Sequence, residues 1–405
     1  MIELKENGIC SPRGFRANAL HCGIRKNRTK KDLSLIVSDV IASAASTYTQ
    51  NKVKGAPIFV TKEHLKNGVA QAIICNSGNA NTCNANGVEI ANEMCTLCGD
   101  ALHIKASDII VASTGVIGEV LSIDPMKAHM SELVEGLHEF GGSDACEGIM
   151  TTDTFKKEFA LSFCLDGKTC HIGGMAKGSG MIHPNMATML AFITSDVAIS
   201  SEMLNEMVHE VVEDTFNMVS VDGDTSTNDM LSMLANGLAH NKEITEKNED
   251  YEICKQALLD MCIEISKNIA KDGEGATKLL TCEVVHGNTL QNAKAIAKSV
   301  ITSSLFKAAM FGKDANWGRI LCAIGYTPGE FLVDCINVDL SSEVGCIRVC
   351  EQGASFAFDE AKAFEILSAD EITIRIDLQQ GDAQATAWGC DLTYDYVKIN
   401  GDYRT

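Results

Sequence analysis

Apolar residues recur along this chain with two distinct periods. Leu204, Met207, Val208, Val211 and Val212 fall at i, i+3, i+4, i+7 and i+8, a stripe down one side of a helix, with Ser201 placed to cap it. Leu258, Cys262, Ile265 and Ile269 form a second such stripe, predicting a helix from about Tyr251 to Ala270 that "DGEG" (272–275) stops. "NGVEIANEMCTLCGDAL" (86–102) reads as a third helix. Continuous apolar runs in "LSLIVSD" (33–39), "AQAIICNSGNAN" (70–81) and "MLAFITSDVAI" (189–199) predict buried strands. Near the C-terminus the period changes to two. Ile372, Ile374, Ile376 and Leu378 alternate, "QQGD" turns the chain, and Ala383, Ala385 and Ala387 alternate on the way back, which predicts a hairpin. The pattern is that of an α/β protein. Its texture turns strand-rich beyond residue 282, so the expected division is 1–285 followed by a smaller α/β unit, 286–405.

Length allows either two domains or one large layered domain, since 405 residues exceed a single small core. Charge narrows the partners. With 54 acids against 34 bases the net charge is -20, a field that repels phosphate backbones and argues against nucleic acid. The one basic run, "RKNRTKK" (25–31), reads as a solvated face. No apolar h-region follows a basic start, and no uncharged apolar stretch approaches the ~18 residues that span a bilayer. Seventeen scattered cysteines, an odd number, fit reduced thiols better than a disulfide framework. The expectation is an acidic, soluble, cytoplasmic protein with no membrane partner.

Several familiar motifs fail in detail. "GGMAKGSG" (173–180) has the glycines and lysine of a phosphate loop in the wrong order. Cys95 and Cys98 form a lone C-x-x-C inside a helical segment, with no second pair to complete a zinc site. "DGDTSTND" (222–229) imitates a calcium loop but has Thr227 where glycine is needed and Met233 where a bidentate glutamate belongs. No metal ligand set emerges.

The stretch "KGSGMIHPNMATMLAFITSD" (177–196) poses a different question, because a glycine-rich loop and a Pro-Asn turn lead directly into Thr188. A threonine hydroxyl is a weak nucleophile without a base. Cleavage between Ala187 and Thr188 would supply one, since the new α-amine has a pKa of about 7.7–8.0 and accepts a proton at neutral pH. A β-branched residue opening a strand is the ordinary alternative.

That stretch resembles the self-cleavage signature of the ornithine acetyltransferase family, also called glutamate N-acetyltransferase. Others match the family in the same order: "GFRANALHCGIR" (14–25), "DLSLIVSD" (32–39), "NSGNANTCNANG" (76–87), "ASTGVIGE" (112–119), "MTTDT" (150–154), "VDGDTSTND" (221–229), "GEGATK" (273–278), "FGKDANWGRI" (311–320) and "NGDYRT" (400–405). The resemblance implies a four-layer α/β/β/α sandwich with a smaller C-terminal α/β domain. It implies autocatalytic cleavage into chains 1–187 and 188–405, assembled two of each, and an acetyl group carried from N2-acetylornithine to L-glutamate on Thr188 in arginine biosynthesis. Thr114 and Gly115 fall on the family's oxyanion pair, and Thr151, Lys177, Thr188, Glu274, Asn400 and Thr405 on its substrate contacts. Lys177 suits a substrate carboxylate and Glu274 a substrate ammonium. No metal or organic cofactor is implied, although some members also accept acetyl-CoA as a co-substrate. Ala315 replaces a frequent proline and His183 occupies a variable position; neither carries an assigned role.

Two other readings remain open at this level. An amidohydrolase or aminopeptidase on the same self-processing scaffold would use water as acceptor, and the difference lies in how well the site excludes it. A binding protein that never cleaves, or a metal module on Cys95 and Cys98, would leave the chain intact.

Overall fold

The computed structural model describes residues 3–5, 7–26, 29–183 and 189–402. Its strands run, in chain order, β1 (Glu3–Lys5), β2 (Phe15–Leu20), β3 (Leu33–Tyr48), β4 (Val69–Asn76), β5 (Ile109–Ser113), β6 (Lys157–Leu165), β7 (Lys168–Lys177), β8 (Leu190–Ser195), β9 (Val219–Ser220) and β10 (Met230–Ala235). All but β9 join one sheet, ordered β1-β6-β7-β8-β10-β3-β4-β5 with β2 beside the start of β3. The strand expected at 33–39 continues to Tyr48. Asp39, Val40 and Ile41 stand in solvent where the register against β4 slips between Val37 and Ala42, and burial then resumes.

That long strand lets one sheet serve as two layers. Phe15, Ile36, Ile73 and Ile110 from β2–β5 share a core with Met175, Phe192, Met230 and Leu234 from β7, β8 and β10. The two halves therefore pack face to face, and each turns its other face outward to helices. Leu35, Ile74 and Val111 meet Met94 and Cys98 of helix Gly87–Leu102 and Met126 of helix Asp124–Glu135. Ile172, Ile193 and Leu231 meet helices Ser201–Asp214 and Glu249–Lys271. This is the expected α/β/β/α order.

Both outer helices on the second side were legible as stripes, and all nine stripe residues are buried. The cap lies one residue earlier than expected: Ser200, not Ser201, accepts the Met203 N–H. Helix Glu249–Lys271 starts at Asn248, which accepts the Tyr251 N–H, and carries Glu249, Asp250 and Glu252 where the dipole favours acids. It approaches β7 closely because Gly174 has no side chain; a Cβ there would sit 2.8 Å from Met261 Sδ and 3.2 Å from Ile265 Cδ1.

A second sheet comprises β9, β11 (Leu279–Gly287), β12 (Asn337–Ser342), β13 (Gly345–Glu351), β14 (Ala354–Ser355), β15 (Glu371–Asp377) and β16 (Ala383–Cys390), in the order β14-β13-β12-β15-β11-β16-β9. Here the expected hairpin is corrected. β15 and β16 exist, but β11 lies between them, parallel to one and antiparallel to the other. Alternation reveals which face of a strand is buried, not which strand lies beside it. Residues 285 and 286, where the division was drawn, fall inside β11. No helix of the described residues is long and apolar enough to cross a membrane.

Ile265, on helix Glu249–Lys271, is fully buried in the core that the two sheets share. Ile265→Ala should cost about 2–5 kcal/mol of stability and lower the urea midpoint accordingly; an unchanged midpoint would contradict this packing.

Candidate active site

One cavity of ≈ 190 Å³ gathers residues from distant stretches of the chain: Thr114 and Gly115 after β5, Thr151 after helix Gly142–Ile149, Lys177 at the end of β7 with Gly180 just beyond it, Glu274 after helix Glu249–Lys271, and Asn400 on helix Tyr394–Asp402. Six of the eight residues that the family resemblance names as catalytic or substrate-binding therefore meet in one place. The other two, Thr188 and Thr405, lie outside the described residues, as does the cleavage partner Ala187.

The Thr114-Gly115 loop is built against the "NSGNAN" turn. Thr114 N–H donates to the Asn76 carbonyl (2.9 Å), and the Ala80 N–H to the Val116 carbonyl (2.9 Å). Gly115 has φ +123°, and a Cβ there would sit 2.7 Å from the Gly78 carbonyl carbon and 2.8 Å from the Asn79 nitrogen, so only glycine fits. Asn76, fully buried, accepts the N–H groups of Gly78 and Asn79 on Oδ1 and donates to Ser113 Oγ. With the Thr114 amide engaged, the Gly115 N–H and the Thr114 hydroxyl remain without partners among the described residues, the two donors that an oxyanion needs.

Asn228 supports this loop from the other side, donating to the carbonyls of Ala80 and Ser113 and accepting from the Thr82 hydroxyl. It lines the cavity, as do Ser226 and Thr227. The density of asparagines in "NSGNANTCNANG" and "DTSTND" is the signal in the sequence that marks these residues. Arg25 was also misplaced as part of a solvated run. Its guanidinium donates to the Ser77 carbonyl at 2.7 and 2.9 Å and to the Met150 carbonyl, bracing two walls of the site.

Lys177 is nearly buried, and its ammonium has no hydrogen-bond partner among the described residues. Behind it, burial would raise the Asp153 carboxyl, but the Lys157 and Lys177 ammoniums and the Gly178 N–H hold it down at about 2. Asp229 goes the other way: complete burial lifts it well above the usual carboxylate range despite hydrogen bonds from Ser226 and the charge of Lys177. Across the cavity, Asn400 Nδ2 donates to Glu274 Oε2 (2.8 Å). The Glu274 carboxylate lies over Gly180, where a Cβ would come within 2.4 Å of it.

The chain is gripped on both sides of the expected break. Asp222 accepts the N–H groups of Met181 (2.7 Å) and Ile182 (2.9 Å), so the calcium-like loop serves main chain. Thr225 Oγ1 donates to the His183 carbonyl, and on the far side the Met230 N–H donates to the Met189 carbonyl. His183 Nδ1 lies 3.1 Å from Ser220 Oγ. Burial, aided by the Lys298 charge and opposed by Asp222, lowers its pKa to about 4, so the ring is neutral at pH 7. Cys95 and Cys98 sit in the core of their helix with both thiols pushed up by burial, Cys98 to about 12, which leaves no thiolate at neutral pH.

The depressed His183 has a consequence for stability. Below 6.5 the unfolded chain binds a proton that the folded chain refuses until about 4, so the native state loses stability as pH falls through that window. His183→Asn should flatten this part of the Tm–pH curve; an identical slope would contradict the assignment.

A family model described as the ArgJ family matches residues 16–405. The arginine biosynthesis bifunctional protein ArgJ of Caldanaerobacter subterraneus subsp. tengcongensis is 45% identical over 405 residues, covering 100% of both chains. ArgJ 1 of Clostridium acetobutylicum is 47% identical over 392 residues, 96% of each. Among solved structures, the Bacillus halodurans arginine biosynthesis bifunctional protein argJ superposes with TM-score 0.51 at 42% identity, covering 53% of this chain and 100% of that one. Matched from residue 16 to the last and at this identity along its length, this protein belongs to the ArgJ family.

Proposed function

We propose that this enzyme transfers the acetyl group of N2-acetylornithine to L-glutamate in arginine biosynthesis, through an acetyl ester on Thr188 after the Ala187–Thr188 bond has broken. The observation that carries the reading is the convergence of Thr114, Gly115, Thr151, Lys177, Glu274 and Asn400 on one cavity. Relatives named as bifunctional arginine biosynthesis proteins support the pathway. Cleavage has its own support: the C-terminal piece would be little more than half the chain, and the solved Bacillus halodurans chain, matched along its whole length, covers 53% of this one.

In cleavage the Thr188 hydroxyl adds to the Ala187 carbonyl, the peptide nitrogen leaves as the α-amine, and water hydrolyses the resulting ester. In turnover that amine takes the hydroxyl proton as Thr188 attacks the acetyl carbonyl. The oxyanion is met by the Gly115 N–H and the Thr114 hydroxyl, and collapse expels ornithine, whose amine takes up the proton. Glutamate then attacks the ester through its own amine and leaves acetylated. Each donor to the oxyanion is typically worth about 3–4 kcal/mol. Lys177 holds a substrate carboxylate and Glu274, steadied by Asn400, a substrate ammonium. Acetyl-CoA as an alternative donor to the same threonine would give the second activity of a bifunctional enzyme, as relatives bearing that name suggest. The double exchange asks for neither metal nor organic cofactor. The cut chains assemble two of each in the cytoplasm, with Thr405 completing the substrate contacts.

Thr114→Val should lower kcat by about 100- to 1000-fold while cleavage proceeds, because only one oxyanion donor remains. Lys177→Ala should raise KM for N-acetylornithine; unchanged kinetics would remove it from the site. Deleting residues 402–405 should abolish transfer in a chain that still cleaves, and an active truncation would refute the role of the tail. Acetate release without glutamate, at the rate of transfer, would mark a hydrolase instead.

A further inference from the structure

Lys157 opens β6 with its side chain wholly out of solvent, and its ammonium lies 2.7 Å from Asp153 Oδ1 and 2.5 Å from Asp272 Oδ2. A buried ion pair is weak evidence for a stabilising role, since apolar residues of similar volume often replace one without loss. What distinguishes this triad is where its carboxylates make their remaining hydrogen bonds. Asp153 accepts the Thr151 N–H on Oδ2 (2.9 Å) and the Gly178 N–H on Oδ1 (2.7 Å). Asp272 accepts the Thr154 N–H at 3.0 and 3.2 Å and the Thr154 hydroxyl. The Asp272 carbonyl accepts Ser179 Oγ (2.6 Å), and the Ser179 carbonyl accepts the Glu274 N–H (3.0 Å).

Three cavity walls, residues 151–154, 177–180 and 272–274, are therefore tied to one ammonium. We infer that Lys157 is a positioning residue for substrate binding: by holding Asp153 and Asp272 together it sets where Thr151, Lys177 and Glu274 present themselves in the cavity. Two acids against one base leave the triad one negative charge in excess, and Lys177 is the neighbouring cation whose charge acts on Asp153. The chain Lys177, Asp153, Lys157, Asp272 is balanced as a whole, which fixes Lys177 electrostatically where no hydrogen bond does. The inference rests on the substrate contacts proposed above, because its effect is exerted through them.

Lys157→Met alone would leave two buried carboxylates facing each other, so the test pairs it with Asp272→Asn, which removes one charge of each sign. Tm, cleavage, and kcat and KM for N-acetylornithine are measured on this double variant. A second variant, Asp153→Asn, leaves the Lys157–Asp272 pair neutral and nearly isosteric, and it decides the matter if the double variant does not fold. The expected result is a folded, cleaved enzyme whose KM rises about tenfold or more with a smaller change in kcat, as misplaced binding groups produce. Wild-type KM in a folded variant would overturn the inference and leave the triad a structural ion pair. Lys177→Ala separates the two levels. If it leaves KM unchanged, the substrate contacts themselves are wrong; if it raises KM and the triad variants do not, only the positioning role is wrong.

Discussion

A chain proposed to break at one peptide bond and then to use the new terminus as a catalyst must be held firmly on both sides of that bond. Here Asp222 accepts the amides of Met181 and Ile182, and the Met230 amide donates to the Met189 carbonyl. Everything else in the site is arranged about that anchorage. β8 and β10 run parallel from Leu190 and Met230, carrying the C-terminal side into the sandwich. β7 brings Lys177 alongside Leu190, and the glycine loop that follows passes beneath Glu274. After cleavage the hydrogen bonds to described residues would remain on both pieces, so the two parts of the core stay in place.

The site draws its polarity from local pairing within an acidic protein. Asp153 is kept ionised by the two lysines near it while Asp229 is driven toward its neutral form by burial. His183, the histidine nearest the break in sequence, is neutral at physiological pH. A neutral ring agrees with the proposed role of the threonine amine as base, since a free α-amine has a pKa of about 7.7–8.0. The proposed oxyanion donors add no charge of their own, and glycine at 115 allows both the positive φ and the close approach of Gly78 and Asn79, where a Cβ would clash.

Much of this was legible in the sequence and some of it was not, for identifiable reasons. Helical stripes such as Leu204 to Val212 announced themselves because each buried residue contributes to one period. The hairpin at 372–387 failed because β11, far earlier in the chain, inserts between its strands, and pairing across that distance leaves no local trace. β3 was cut short because Asp39 to Ile41 interrupt its burial at the bulge. The cavity residues were named through motif resemblance, since Thr114 or Glu274 alone looks like a turn threonine or a solvated acid. Arg25, Asn228 and Lys157 escaped because their work is done on backbone groups and carboxylates distant in sequence.

The central claim is that Thr188 is a free terminus that carries the acetyl group. Intact mass spectrometry after mixing the purified protein with N-acetylornithine, without glutamate, tests it directly. The account predicts two chains divided between Ala187 and Thr188, the C-terminal one heavier by one acetyl group, which glutamate then removes. A single uncut chain, or a cut chain that never gains the acetyl group, would contradict it.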